Sequence, residues 1–99
     1  MQNIPCNFSA EIVCHIVAFP RPTITWVGPR GGQLSTNLNY VVDNGYEIGG
    51  ERETTVRIKR LGRQQIGRYI CRAQNKLGIE EKVIDEITFS LLLQLLTLK

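Results

Sequence analysis

Residues 66–75 read IGRYICRAQN, and within them Gly67, Tyr69 and Cys71 fall on every second position. A period of two is strand geometry, because successive side chains of a strand point to opposite faces. A glycine weakens the interior of a strand, and a buried tyrosine needs a partner for its hydroxyl. The stretch therefore predicts a strand entered through a sharp turn. Gly67 would allow that turn without a Cβ clash, and Tyr69 would fold its ring inward while its hydroxyl bonds to backbone just upstream.

The same alternation recurs along the chain. In AEIVCHIVA, Ala10, Ile12, Cys14, Ile16 and Ala18 share one face, and Glu11, Val13, His15 and Val17 share the other. Pro20 and Pro22 break that strand, and TITWV then puts Ile24 and Trp26 on one face. GPRGGQLS is turn chemistry, and NYVVDNGYEIGG reads as short strands around a hairpin signal at Asn44-Gly45. In ETTVRIKRL, Val56 and Ile58 point inward while Arg57 and Lys59 point outward. Before the C-terminal tail, no apolar spacing of three and four persists for ten residues. Six or more short strands with regular turns indicate an all-β sandwich or barrel.

Ninety-nine residues make one domain, and a domain of this size gains much from a covalent staple. The net charge of +3 is mild, and no basic run interleaved with aromatics points to nucleic acid. The three cysteines allow one intramolecular pair and leave one thiol over. Zinc spacing is absent, since there is no Cys-x-x-Cys and the sole histidine, His15, adjoins Cys14. Neither a metal nor any other cofactor is implied. The glycines of GPRGG do not follow a strand that opens into a helix, so they read as a turn rather than a phosphate loop. No Ser, His and Asp arrangement and no facing carboxylate pair argues for catalysis. The opening MQNIPCNFSA has neither a basic n-region nor an apolar h-region, so it is not read as a secretory signal.

Cys14, the PTITW stretch ending in Trp26, the run VRIKRLGRQQIGRYIC, and CRAQNKLG with Ala73, Asn75 and Gly78 resemble the immunoglobulin superfamily, specifically its I-set. The resemblance covers about residues 8–89. It leaves 1–7 as a truncated lead-in, with strand A shortened, and 90–99 as an apolar tail. It implies a two-sheet immunoglobulin-like sandwich in which Cys14 and Cys71 form a disulfide, Trp26 packs against it and Tyr69 makes a tyrosine corner. Closing a loop of that length is worth roughly 4 kcal/mol on the chain-entropy model. The other reading is a pair of reduced buried thiols, as in intracellular muscle domains of the superfamily. AFPRPTITW and CRAQNKLG are similar to a membrane-proximal domain of the lachesin, amalgam and IgLON group of neural adhesion proteins. Gln65 stands where the family usually has Asp, so the ionic bridge such an Asp makes near the turn is missing.

Other residues are weighed singly. Asn7-Phe8-Ser9 is an N-glycosylation sequon, with Asn7 as the acceptor if the chain is secreted. Cys6 pairs with a segment outside this sequence, with another chain, or with nothing. The stretch 87–98 holds eight apolar residues in twelve, too short for a membrane-spanning helix, which needs roughly 20. Membrane attachment would have to come through other segments. Arg57, Lys59, Arg60, Arg63, Arg68 and Arg72 carry six positive charges with no acid between them, which raises heparan sulfate as a ligand. Strands bearing Arg57 and Arg68 belong to opposite sheets of such a sandwich, so only Arg60, Arg63 and Arg68 would cluster.

The resemblance implies a non-catalytic recognition module of a cell-surface or secreted adhesion protein, working beside other immunoglobulin domains. Its partners would be other members of the superfamily or a second copy of itself. The alternative is a force-bearing spacer of an intracellular array. By the family's habit, binding would use the outer face of the sheet that carries Thr25 and Val27 on one strand and Arg68, Ile70, Arg72 and Gln74 on the next. Val27 and Ile70 would form its exposed aliphatic centre.

Overall fold

The strict alternation in AEIVCHIV becomes β1 (Ala10–Val17), whose side chains are buried and exposed in turn along all eight residues. The computed structural model describes residues 9–87. Five more strands follow: β2 (Thr23–Val27), β3 (Tyr40–Asp43), β4 (Glu51–Ile58), β5 (Gly67–Asn75) and β6 (Gly78–Ile87). A single 3-10 turn, Arg63–Gln65, precedes β5. The strands form two antiparallel sheets, ordered β1-β4-β3 and β2-β5-β6. This is an all-β, two-sheet sandwich.

The inward faces of the two sheets make one core. Ile12, Cys14 and Ile16 from β1, and Val56 and Ile58 from β4, meet Trp26 from β2 and Tyr69 and Cys71 from β5. Tyr40 and Leu61 close it at one end. Apart from Leu61, which follows β4, each is buried because it occupies the inward parity of its strand, as the period-two pattern requires. Arg57 points out from β4 and is exposed, while Lys59 is half-buried with its Nζ donating to the Asn37 carbonyl at 2.9 Å.

The hairpin expected at Asn44-Gly45 is not there. The tight two-residue turn lies at Gly49-Gly50, where Ile48 and Glu51 exchange backbone hydrogen bonds of 2.8 and 3.0 Å. Both glycines have positive φ, which a type I′ turn demands and a Gly-Gly pair supplies without steric cost. Asn44 is otherwise engaged, its side-chain oxygen accepting from the Thr54 hydroxyl, while Asp43 caps the Gly45 amide. Cys6, the Asn7 sequon and the apolar tail fall outside the described residues. Among those described, no helix is long and apolar enough to cross a membrane, and no group of three His, Cys, Asp or Glu side chains could hold a metal ion.

Candidate partner-binding face

The core fixes which residues of the β2-β5-β6 sheet look outward. Cys14 and Cys71 are bonded across the two sheets with their Cα atoms 6.6 Å apart. Trp26 is paired in register with Cys71, lies 1% exposed, and donates from Nε1 to the Thr54 hydroxyl of the opposite sheet at 2.8 Å. Tyr69, fully buried, donates its hydroxyl to the Gln65 carbonyl at 2.6 Å. Gln65 also accepts the Gly62 amide on its side-chain oxygen, so it ties the 3-10 turn with hydrogen bonds where an Asp would use charge. Burial, with a smaller contribution from the Tyr40 hydroxyl, pushes the Tyr69 phenol far above its ordinary range.

With Trp26, Tyr69 and Cys71 turned inward, their neighbours Val27, Ile70 and Arg72 are turned outward. The register then brings β6 residues onto the same face. Val27 stands opposite Ile70, and Ile70 opposite Val83, giving an aliphatic row across all three strands. The next row is Thr25, Arg72 and Glu81, and Arg72 Nε is paired with the Glu81 carboxylate. The third row is Thr23, Gln74 and Ile79. Arg68 is exposed beside the irregularity that shifts the register between Gly67 and Tyr69.

Thr25, Val27, Arg68, Ile70, Arg72 and Gln74 therefore share one side of one sheet. Val27 and Ile70 are half-buried rather than exposed, because each is flanked by a cross-strand neighbour of comparable size. The exposed aliphatics of the face are Val83 and Ile79, both on β6. Sequence reasoning missed them, although Ile79, Glu81 and Val83 alternate with a period of two. Assigning their face required the pairing of β6 with β5.

The row of cations divides as the sandwich geometry requires. Arg57 lies on β4 of one sheet, and Arg68 and Arg72 on β5 of the other. Lys59 Nζ donates to the Asn37 carbonyl, and Arg72 pairs with the Glu81 carboxylate.

Comparison with known proteins agrees with this architecture. The family model of the immunoglobulin I-set domain matches residues 2–85. Lachesin of Schistocerca americana is 34% identical over 79 residues, which is 80% of this chain and 22% of lachesin. Protein amalgam of Drosophila melanogaster is 34% identical over 72 residues, covering 73% of this chain and 21% of amalgam. The chain thus spans about a fifth of the length of these relatives. Among solved structures, the complex of Dpr2 Ig1-Ig2 with DIP-Theta Ig1-Ig3 contains a chain that superposes with a TM-score of 0.73 at 21% identity, covering 81% of this chain and 26% of that one. Titin domain M7 superposes with a TM-score of 0.64 at 20% identity, covering 79% of this chain and 74% of that one.

Proposed function

The chain belongs to the immunoglobulin I-set family, and from that premise we propose that it is a protein recognition module of a cell-surface or secreted adhesion polypeptide. The family's domains bind and space rather than catalyse, and this one is a non-catalytic module. Its binding surface is the outer face of the β2-β5-β6 sheet, and its partner is another immunoglobulin-like domain. The observation that carries this reading is the aliphatic row Val27, Ile70 and Val83, bordered by the Arg72–Glu81 pair. An apolar centre with a paired polar rim is the anatomy of an interface in which a few residues dominate affinity. The Dpr2 and DIP-Theta complex, an assembly between two immunoglobulin proteins on this fold, supports the class of partner.

The Cys14–Cys71 bond supports an oxidising, extracellular setting, where such bonds form and persist. It weighs against the intracellular spacer, which would hold these thiols reduced. Glycosylation at Asn7, which rests on the Asn7-Phe8-Ser9 sequon and on secretion, and membrane attachment through other segments belong to the same reading. A heparan-sulfate ligand is not favoured, because the cations are split between the sheets.

Aggregation of cells displaying the full-length polypeptide tests the face. Ile70→Asp and Val83→Asp should each abolish it while leaving the domain folded and disulfide-bonded. Aggregation that survives both substitutions places binding elsewhere.

A further inference from the structure

The sequence contains one Asn-Gly pair, Asn44-Gly45. It lies on the connection between β3 and β4, and the tight turn of that connection comes later, at Gly49-Gly50. Two separate demands of the fold hold the pair in place. Residue 45 has a φ of +61°, and a Cβ there would stand 2.5 Å from the Glu53 carbonyl oxygen, so glycine alone fits without a shift of β4. Residue 44 supplies the oxygen on which the Trp26–Thr54 contact ends. The Thr54 hydroxyl accepts from the indole at 2.8 Å, and its single proton then goes to Asn44 Oδ1 at 2.7 Å. Both residues of the pair are exposed to water.

An asparagine followed by glycine is chemically labile, because no side chain on the second residue shields its backbone nitrogen. Once hydroxide has taken its proton, the Gly45 nitrogen can add to Asn44 Cγ. The new N–Cγ bond closes a succinimide ring, the Cγ–Nδ2 bond breaks, and Nδ2 leaves as ammonia after taking a proton from water. Water then opens the ring on either side. Breaking the N–Cγ bond leaves aspartate on an ordinary backbone. Breaking the bond from the same nitrogen to the main-chain carbonyl carbon of residue 44 leaves isoaspartate, with the main chain running through Cγ. One water is consumed and one ammonia released, with no oxidant or reductant.

We infer that Asn44 is a modification site of this kind and that the fold gates it. Both reacting groups are held. Ring closure requires the Asn44 side chain to rotate, and the bond from Thr54 on β4 opposes that rotation. The Gly45 N–H donates to Asp43 Oδ1 at 2.8 Å. That carboxylate opposes loss of the proton twice over, since its hydrogen bond favours the protonated nitrogen and its charge disfavours the anion. The pair therefore reacts when the connection opens, at the rate of the free segment scaled by the open population. Residues 43–46 are all exposed, so opening there uncovers little apolar surface. The product bears on the core. Isoaspartate lengthens the main chain by a methylene beside the Glu53 carbonyl and draws the oxygen to which Thr54 donates into the backbone. The site belongs to the β1-β4-β3 sheet and is independent of the binding face on the other sheet.

Peptide mapping by mass spectrometry tests both the site and its gate, on the oxidised 99-residue chain aged at neutral pH and physiological temperature, folded or in urea. Aspartate and isoaspartate should accumulate at residue 44 in both samples, at least about tenfold more slowly in the folded one. Asp43→Ala frees the Gly45 N–H, and Thr54→Val frees the Asn44 side chain. Each should speed the folded reaction, relative to the same variant in urea, by roughly two- to tenfold, the worth of one hydrogen bond. Tyr69→Phe lowers global stability without touching the connection and should keep the parent rate. Near-UV circular dichroism shows which variants are folded, and Asp43→Ala, at an exposed side chain, suffices if Thr54→Val is not. The isoaspartyl product should unfold at a lower urea concentration than the unconverted chain, and an unchanged midpoint overturns its effect on the core. Equal rates in the folded and unfolded parent overturn the gate. So does a rate that rises as much in Tyr69→Phe as in Asp43→Ala, which would assign the reaction to global unfolding. Folded Asp43→Ala that stays unmodified while its urea sample converts overturns the site.

Discussion

Trp26 and Thr54 join the two sheets through a hydrogen bond of 2.8 Å in the middle of the core. Trp26 lies on β2 of one sheet and Thr54 on β4 of the other, and Thr54 is the one polar side chain among the described residues that is fully buried. Its hydroxyl accepts from the indole and donates to Asn44 at 2.7 Å, so both capacities are used. Thr54→Val keeps the shape and leaves the indole N–H buried without an acceptor. Urea unfolding should show a loss of about 1 to 3 kcal/mol. Thr54→Ser retains the hydroxyl and should cost less than Thr54→Val. A larger cost for Thr54→Ser than for Thr54→Val would mean that the methyl group, not the hydrogen bond, matters at this position.

The disulfide beside this contact joins two residues 57 apart in sequence. Cys14→Ala or Cys71→Ala should cost roughly 2 to 5 kcal/mol under oxidising conditions. The oxidised protein should lose a comparable amount when reductant is added, and the variants should be insensitive to it. Denaturant curves that ignore both the substitutions and the reductant would show that the bond contributes nothing.

Much of this core was legible in the sequence because it follows parity. Once Cys14, Trp26, Val56, Tyr69 and Cys71 are placed on strands, a period of two decides which side chains turn inward. Thr54 was not legible, since it stands on the inward parity of ETTVRI, where an apolar residue would be expected, and only the packing supplies its two partners. The turn at Gly49-Gly50 was displaced from Asn44-Gly45 for a related reason. Both pairs suit a tight hairpin, and the hydrogen bond from Thr54 to Asn44 belongs to the three-dimensional core. The outer face shows the same division. Residues of β2 and β5 were assigned from the family's habit together with parity, whereas Val83 and Ile79 needed the register of β6, which no local pattern encodes.

Tyr69 links the core to pH. Its buried phenol titrates far above the ordinary value of 10.0, while the unfolded chain releases that proton near pH 10. The stabilisation is therefore complete below about pH 10 and declines as the pH rises above it, by up to about 1.4 kcal/mol per pH unit for this one group. Tyr69→Phe should cost about 1 kcal/mol at neutral pH through loss of the bond to the Gln65 carbonyl. The variant should also show a shallower decline of stability between pH 10 and 11.5 than the parent. Parallel curves for the two proteins would exclude Tyr69 as the source of the alkaline loss.

Gly67 is where the strand bearing Tyr69 and Cys71 begins, and two separate constraints hold it as glycine. Its φ of +142° is a conformation that L side chains rarely adopt, and a Cβ there would come within 2.6 Å of Pro29 Cβ. Relieving the contact by moving β5 would disturb Tyr69 two residues on, whose hydroxyl is anchored to the preceding turn. Gly67→Ala should therefore destabilise by on the order of 2 to 4 kcal/mol, the sum of backbone strain and steric overlap. A second substitution separates the two contributions. Pro29→Gly removes the opposing Cβ but leaves the backbone of residue 67 unchanged, so in a double-mutant cycle it should recover part of the loss and not all of it. Full recovery would assign the whole cost to the Pro29 contact, and no recovery would assign it to φ alone.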